Sequence, residues 1–341
     1  MIKHFYLITC IVCLFAISCE QEKKSGNTSN NLLASWNEGQ IKKSILNYII
    51  DSAVLIPVKD RIAVFDLDGT LACETPLWFE MYAAVNGLNQ QSTKNPALLN
   101  DSAYLYAKKL AANPFDTSVT NHWASPVNYI DSMIWKAYAN VDNEVYVNST
   151  RSFLSNTKSQ DPRFTTISLA DLFYQPMLEL IQLLKQNQFS IYVVSGSMQG
   201  VLWSVCPQTI DRDRESLIGT TQITNPVYDP KGHHTSFVIQ KGIYQPKDDK
   251  DGKSENIYSH IGKVPVFAFG NTTGDFGMFR LTSTSKYPHA EYLLNHDDAK
   301  REYAYPPYHG KADTTWQKTL TENGWKQVDM SKEFGIIWKK K

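Results

Sequence analysis

Hydrophobic and polar positions alternate along this chain in two rhythms. The first is a short, unbroken apolar run that stops at a turn of Gly, Ser, Asn or Asp. Three such runs stand out, at residues 62–65, 189–194 and 264–269. Runs of this length, closed by a polar turn, read as strands buried on both faces of a parallel sheet. The second rhythm is helical. Ile41, Ile45, Ile49 and Ala53 fall on one face of a helix over 32–54, ended by Pro57, with Trp36 anchoring its packing. Residues 169–187 form a stronger amphipathic segment, with Leu172, Met177, Leu180 and Leu184 on its inner face. Pro176 places its first helical turn near Gln175. Further helices are expected to open at Met198 and at Lys253, and one over 314–323 stops at Gly324. Short strands are expected at 218–223, 236–239 and 291–295.

Residues 75–165 lose the strand–helix alternation. Helical stretches around Tyr82, over 101–110 and over 129–138 are separated by Asn95-Pro96 and Asn113-Pro114. Asp101 or Ser102 can cap the second of these. The segment is rich in aromatics (Trp78, Phe79, Tyr82, Trp123, Tyr129, Trp135, Tyr138), which are read first as the core of a helical cap. The expected organisation is an α/β, Rossmann-like parallel sheet over 32–74 and 166–341, with 75–165 inserted as a mainly helical cap. Residues 245–251 read as a charged turn. Residues 296–305, charged and aromatic, read as a solvated edge.

Composition changes this picture only at the ends and in the partner. The chain has 341 residues with 34 basic and 34 acidic side chains, so it lacks the basic excess of a nucleic-acid binder. Residues 1–19 have a polar start, an apolar run too short to span a bilayer comfortably, and Ala-Ile-Ser before Cys19. That ending resembles a bacterial lipobox. The expected product begins at a lipidated Cys19, followed by a flexible tether over 20–31. Localisation would then be the cell envelope, with membrane contact only through the lipid; no protein partner is inferred. Of five cysteines, Cys10 and Cys13 lie in the apolar leader. Cys73 and Cys206 remain, and are read as small buried side chains rather than a disulfide framework.

Candidate chemistry sits at the ends of the three apolar runs. Asp66-Leu67-Asp68-Gly69-Thr70 follows the first. Open α/β sheets bind ligands beyond the carboxyl ends of their strands, and two carboxylates two residues apart suit Mg²⁺ beside a phosphoryl group. Ser195 and Gly196 close the second run, where a hydroxyl and turn amides can hold a phosphate oxygen. Gly270-Asn271-Thr272-Thr273-Gly274-Asp275 closes the third, and Lys253 at a helix start can neutralise phosphate charge. His233-His234 suggests a metal only superficially, because adjacent histidines on a strand point apart.

Order and spacing of these four clusters resemble the haloacid dehalogenase-like phosphatase superfamily, over about residues 60–282. RIAVFDLDGTLACETP, DLFYQPMLELIQLL, IYVVSGS and NHDDAKREYAY are similar to its secreted, phosphoserine-phosphatase-like branch, related to phosphorylcholine phosphatase. The resemblance implies Asp66 as nucleophile and Asp68 as general acid and base. It implies Thr70, Ser195, Gly196 and Lys253 on the substrate phosphate, and Mg²⁺ held by Asp66, Asp68, Asn271 and Asp275. The substrate would be a small phosphomonoester such as phosphocholine or a phosphoserine-like metabolite. One position departs: the family's usual Asp is Asn271 here, with Asp275 expected to compensate. A dehalogenase has no use for Asp68. A phosphotransferase and a non-catalytic phospho-ligand-binding lipoprotein stay open.

Overall fold

The computed structural model describes residues 32–115, 129–308 and 312–339. The leader, the tether, Cys19 and Trp123 lie outside them. The first strand, β1 (Ile62–Phe65), is buried along its whole length. It pairs in parallel with β2 (Ser190–Met198) on one side and, on the other, with the strand Phe267–Gly270. β3 (Leu217–Thr220) continues the sheet beyond β2, and β4 (Gln222–Tyr228) and β5 (His234–Ile243) form a separate antiparallel hairpin. The strand after the hairpin is therefore β6 (Phe267–Gly270), followed by β7 (Ala290–Asp297), β8 (Ala304–Tyr305) and β9 (Lys326–Asp329). β7 runs parallel to β6 and β9, and the short β8 runs antiparallel to the end of β7.

Alternation along β1 builds two cores. Ile62 and Val64 face Val194, Ile218, Ala268 and Leu293, and are covered by Ile257, Phe276, Met278, Phe279 and Trp325. Phe65 faces the other way and joins Phe267, Phe269 and Tyr292 in a ladder of rings 5.5–6.5 Å apart. Such ring spacings add to the area they bury. A strand packed on both faces cannot shift register without exposing one set, so its carboxyl end is fixed in space.

The inserted segment holds α2 (Phe79–Lys94), α3 (Ser102–Ala112), α4 (Tyr129–Tyr138) and α5 (Asn143–Asn156), after α1 (Gln40–Asn47) at the start of the chain. Asp101 caps α3 by accepting from Ala103 N. The periodicity gave no sign of α5, which Asp142 caps by accepting from the amides of Glu144 and Val145. Its Tyr146 ring lies 4.0 Å from Tyr138, and Phe79 packs on Phe173, so these aromatics form a core. β5 docks on the same helices: Asn140 N donates to Ile239 O and Ile239 N to Val141 O.

Several expectations shift. α1 begins at Gln40, not Leu32, because residues 33–36 form a turn that carries Trp36 to an isolated bridge with Phe334 and a bond to Pro176 O. The 169–187 segment splits into a short 3₁₀ turn (Leu169–Asp171) and α6 (Gln175–Gln186), with Pro176 in its first turn. β6 starts at Phe267 rather than Val264, since Pro265 has no amide to donate. Residues 296–305 are not a solvated edge: His296, Asp298 and Glu302 are buried. Among the described residues no helix is long and apolar enough to cross a membrane.

Candidate active site

The turn after β1 is built to present carboxylates. Leu67 O accepts from Thr70, Leu71 and Ala72, and Gly69 N donates to Ala72 O. Gly69 takes φ +77°, a left-handed conformation that side chains resist, and an added Cβ would collide with the Asn271 side chain. Asp66, at the strand's end, is buried, and its amide donates to Phe269 O of the neighbouring strand. The Thr70 hydroxyl lies 3.2 Å from Asp66 Oδ2 and 3.2 Å from Asn271 Oδ1, joining the first and third clusters.

Lys253 reaches this point from α8 (Asp251–Ile261), which follows α7 (Gln199–Ile210) in the chain. Its ammonium donates to Asp66 Oδ1 at 2.5 Å, Asp275 Oδ1 at 2.6 Å and Val194 O at 3.0 Å, and is almost wholly buried. Asp275 Oδ2 accepts from the amides of Asn271 and Thr272. Both oxygens of Asp275 are thus committed to fixing the lysine and the turn before α9 (Phe276–Thr282). A further carboxylate stands on the other side of Asn271. Glu74 accepts from Asn271 Nδ2 at 2.9 Å. A carboxylate in that position can only accept, so the amide nitrogen faces Glu74 and the oxygen faces the Thr70 hydroxyl. Glu74 thereby sets a carboxyl group beside position 271, one side chain further out.

Asp68 is held by β2. Ser197 donates to Asp68 Oδ2 at 2.7 Å and Ser195 at 3.3 Å, while Oδ1 is buried without a partner. Because β2 runs on to Met198 instead of ending at Val194, both serines reach the same carboxylate. Gly196 O accepts from Thr220, and a Cβ on Gly196 would rest in ordinary contact with Asp248 O. Burial, against the two serine bonds, pushes Asp68 up to about 6. Glu80, buried at the start of α2, accepts from Met198 N and is pushed up to about 7, chiefly by burial.

A sequence model of the family described as "HAD: haloacid dehalogenase-like hydrolase" matches residues 63–280, from β1 into α9. This chain belongs to the haloacid dehalogenase-like hydrolase family. No curated protein matches it. Among solved structures, a conserved functionally unknown protein from Anaerococcus prevotii is 13% identical with a TM-score of 0.51, over 84% of this chain and 91% of that one. That likeness shows the fold. A phosphoserine phosphohydrolase-like protein from Francisella tularensis is 13% identical (TM-score 0.39; 80% and 97% covered). Cytosolic 5'-nucleotidase IIIB bound to cytidine is 12% identical (TM-score 0.43; 84% and 90% covered).

In this member of the haloacid dehalogenase-like family, Asp66 and Asp275 hold one ammonium between them, with Asp68 close enough to feel its charge. Burial, with Asp275 and Asp68, pushes the Asp66 carboxyl up, opposed by Lys253. Burial works against charge on Lys253, yet Asp275 and Asp66 hold it protonated above its usual range. Carboxyl groups crowded in this way are disfavoured as anions unless positive charge stands beside them. Among the described residues no group of three His, Cys, Asp or Glu side chains forms a metal cluster. The donors that do converge are a carboxylate and an amide oxygen on either side of the Thr70 hydroxyl, hard ligands that suit Mg²⁺. His233 lies outside this site, bonded to Asp229 in the hairpin turn.

Sequence reasoning missed Ser197, Glu74, Glu80 and the pair His296–Glu302. The period-two spacing of Ser195 and Ser197 was the available signal for the first. Nothing local marks the others. Cys73 and Cys206 are free and buried as expected, but the Cys73 thiol also donates to Glu302.

Proposed function

We propose that the protein is a Mg²⁺-dependent phosphomonoesterase that acts through an aspartyl-phosphate on Asp66. The observation that carries this reading is the buried Lys253 ammonium shared between Asp66 and Asp275, with Asp68 two residues away and serine-bonded. Asp66, the main-chain carbonyl of Asp68 and Asn271 Oδ1 would hold Mg²⁺, which supplies positive charge to the phosphoryl oxygens and favours the ionised form of Asp66.

The remaining work belongs to the chain. Asp66 attacks phosphorus as its carboxylate. Asp68, kept near pH 6 by burial, protonates the leaving alkoxide, then takes a proton from the water that opens the acyl-phosphate. Lys253, Thr70, Ser195 and the turn amides beside Gly196 hold non-bridging oxygens, whose charge dominates the transition state. Asp275 keeps Lys253 charged and in place.

A small substrate with a cationic leaving group, phosphocholine before a phosphoserine-like ester, is supported by Glu80. That buried carboxyl group lies near Asp68 and the Tyr138–Tyr146 pair, and it would offer a counter-charge to an ammonium brought to the site. A lipid anchor at Cys19 and a cell-envelope location belong to the same reading. Palmitate labelling of the wild type but not of Cys19→Ala supports them; equal labelling rejects them.

The test is phosphate release from p-nitrophenyl phosphate and a panel of small phosphomonoesters, with Mg²⁺ and with chelator. Expected are Mg²⁺-dependent turnover, loss of at least about 10³-fold in Asp66→Asn, and phosphocholine turned over faster than plain alkyl phosphates. No turnover on any ester would leave a phospho-ligand-binding protein. Transfer to an added alcohol without free phosphate would make it a phosphotransferase.

A further inference from the structure

The segment 296–305 bonds directly to the catalytic turn. His296 Nε2 lies 2.7 Å from Gly69 O, and its Nδ1 lies 3.2 Å from Glu302 Oε2. Gly69 O is an acceptor only, so Nε2 carries a proton and donates to it. Glu302 beside Nδ1 favours a second proton on the ring. Glu302, fully buried, is held in turn by the Tyr174 hydroxyl, the Cys73 thiol and the Tyr303 amide. The Tyr305 ring, paired with His296 across β7 and β8, stacks on it at 4.3 Å.

We propose that His296, held between Glu302 and the Gly69 carbonyl, is a positioning residue that locks the Asp66–Thr70 turn in its reactive orientation. The Gly69 carbonyl and the Thr70 amide share one rigid peptide plane. Inside the turn that plane is held only through the Thr70 amide, by a long 3.3 Å bond to Leu67 O, and Gly69 adds no side-chain restraint. The turn's own bonds use Gly69 N and Leu67 O, leaving the Gly69 carbonyl to His296. Rotation there would carry Thr70 away from Asp66 and Asn271, which its hydroxyl joins. His296 touches no substrate; it acts through the turn. Burial works against the imidazolium, and Glu302 more than offsets this, leaving the group above its ordinary range.

The catalytic part of this inference rests on the phosphatase reading, so its test has one arm that does not. Hydrogen exchange of the peptide covering residues 66–73 is compared in wild type, His296→Ala, His296→Gln and Arg301→Gln. Arg301, in the same segment, ties Asp298 to the carbonyls of Phe334 and Gly335 and does not touch the turn. Faster exchange of 66–73 is expected in His296→Ala, less in His296→Gln, which keeps one donor, and none beyond wild type in Arg301→Gln. Turnover of p-nitrophenyl phosphate should fall about 30-fold or more in His296→Ala, since a shift of about 1 Å at a reacting group costs on the order of 100-fold. Inhibition by orthovanadate should weaken by a similar factor, while inhibition by phosphate changes less than threefold. His296→Gln should recover part of each loss, and Arg301→Gln should lower the unfolding temperature with kcat within twofold. Equal exchange and equal kcat in the His296 and Arg301 variants would overturn the proposal and leave His296 a purely structural residue. If His296→Ala does not fold, His296→Gln carries the same comparisons. If the wild type hydrolyses no ester, the phosphatase reading falls, and the exchange arm still decides whether His296 holds the turn.

Discussion

Two histidine-bearing, charged stretches look alike in the sequence and end in opposite environments. His233-His234 sits at the tip of the β4–β5 hairpin, where the His233 side chain is 74% exposed and pairs with Asp229 four residues away. His296-Asp297-Asp298 closes β7, where the His296 side chain is 1% exposed and meets Gly69, 227 residues distant. The first is a local turn whose bonds would form in a short peptide. The second exists only when the sheet has assembled. Charge in a sequence reports a need for partners, not where they are: water serves at the hairpin, while the interior must supply an acceptor for every proton.

The comparison can be broken most directly at Glu302. Glu302→Ala leaves a buried imidazolium facing no counter-charge, and breaking a buried pair from one side costs roughly 3–5 kcal/mol. Urea unfolding should show that loss, whereas His233→Ala should stay within about 0.5 kcal/mol. Equal effects would mean that the two stretches differ less than their burial indicates. The hairpin is not exposed throughout, and Ile239 sharpens the contrast within it. It is buried against the inserted helices, so Ile239→Ala should cost about 2–5 kcal/mol, while Phe237→Ser, on the open face, should cost under about 0.5 kcal/mol.

A third polar group tests the same principle at the site. Glu74 accepts from the Asn271 amide and sets a carboxyl group beside it. Asn271→Asp alone sets two carboxylates against each other and should weaken Mg²⁺ binding, read by calorimetry, about tenfold. Glu74→Gln in the same chain should restore it. Tighter binding in the single variant would remove Glu74 from that role. The smallest effect is in pH. His296 titrates above its ordinary 6.5 in the fold. Its contribution to stability is therefore complete below pH 6.5 and is lost as pH rises through the folded value. The unfolding temperature should decline by a few degrees from neutral to alkaline pH, and the decline should flatten in His296→Gln.

Much of the site was readable beforehand because its residues follow directly from strand ends. Asp66, Asp68 and Thr70 are consecutive features of one turn. Ser195 and Asn271 are legible because a buried parallel strand has a carboxyl end, and that end is where ligands bind; Lys253 is legible as a lysine in the first turn of a helix. The strand's extension to Met198 was not legible. Ser-Gly-Ser looks like a turn until β3 offers it a partner, and Ser197 then joins Ser195 on Asp68. The α5 helix carried no clean apolar stripe, and only its Asp142 cap was a local sign.

The sequence alone determined the alternation of buried strands and amphipathic helices, the family, and the order in which acidic, hydroxyl and basic groups arrive at one sheet edge. These follow from short-range patterning, which acts between residues a few positions apart. The tertiary structure alone decided that Asp275 serves Lys253, that Glu74 fixes the Asn271 amide, and that His296 grips the catalytic turn. Each of those is a polar group satisfied by a partner about twenty to more than two hundred residues away. A buried donor or acceptor must find some partner, but which one depends on how the chain closes in three dimensions.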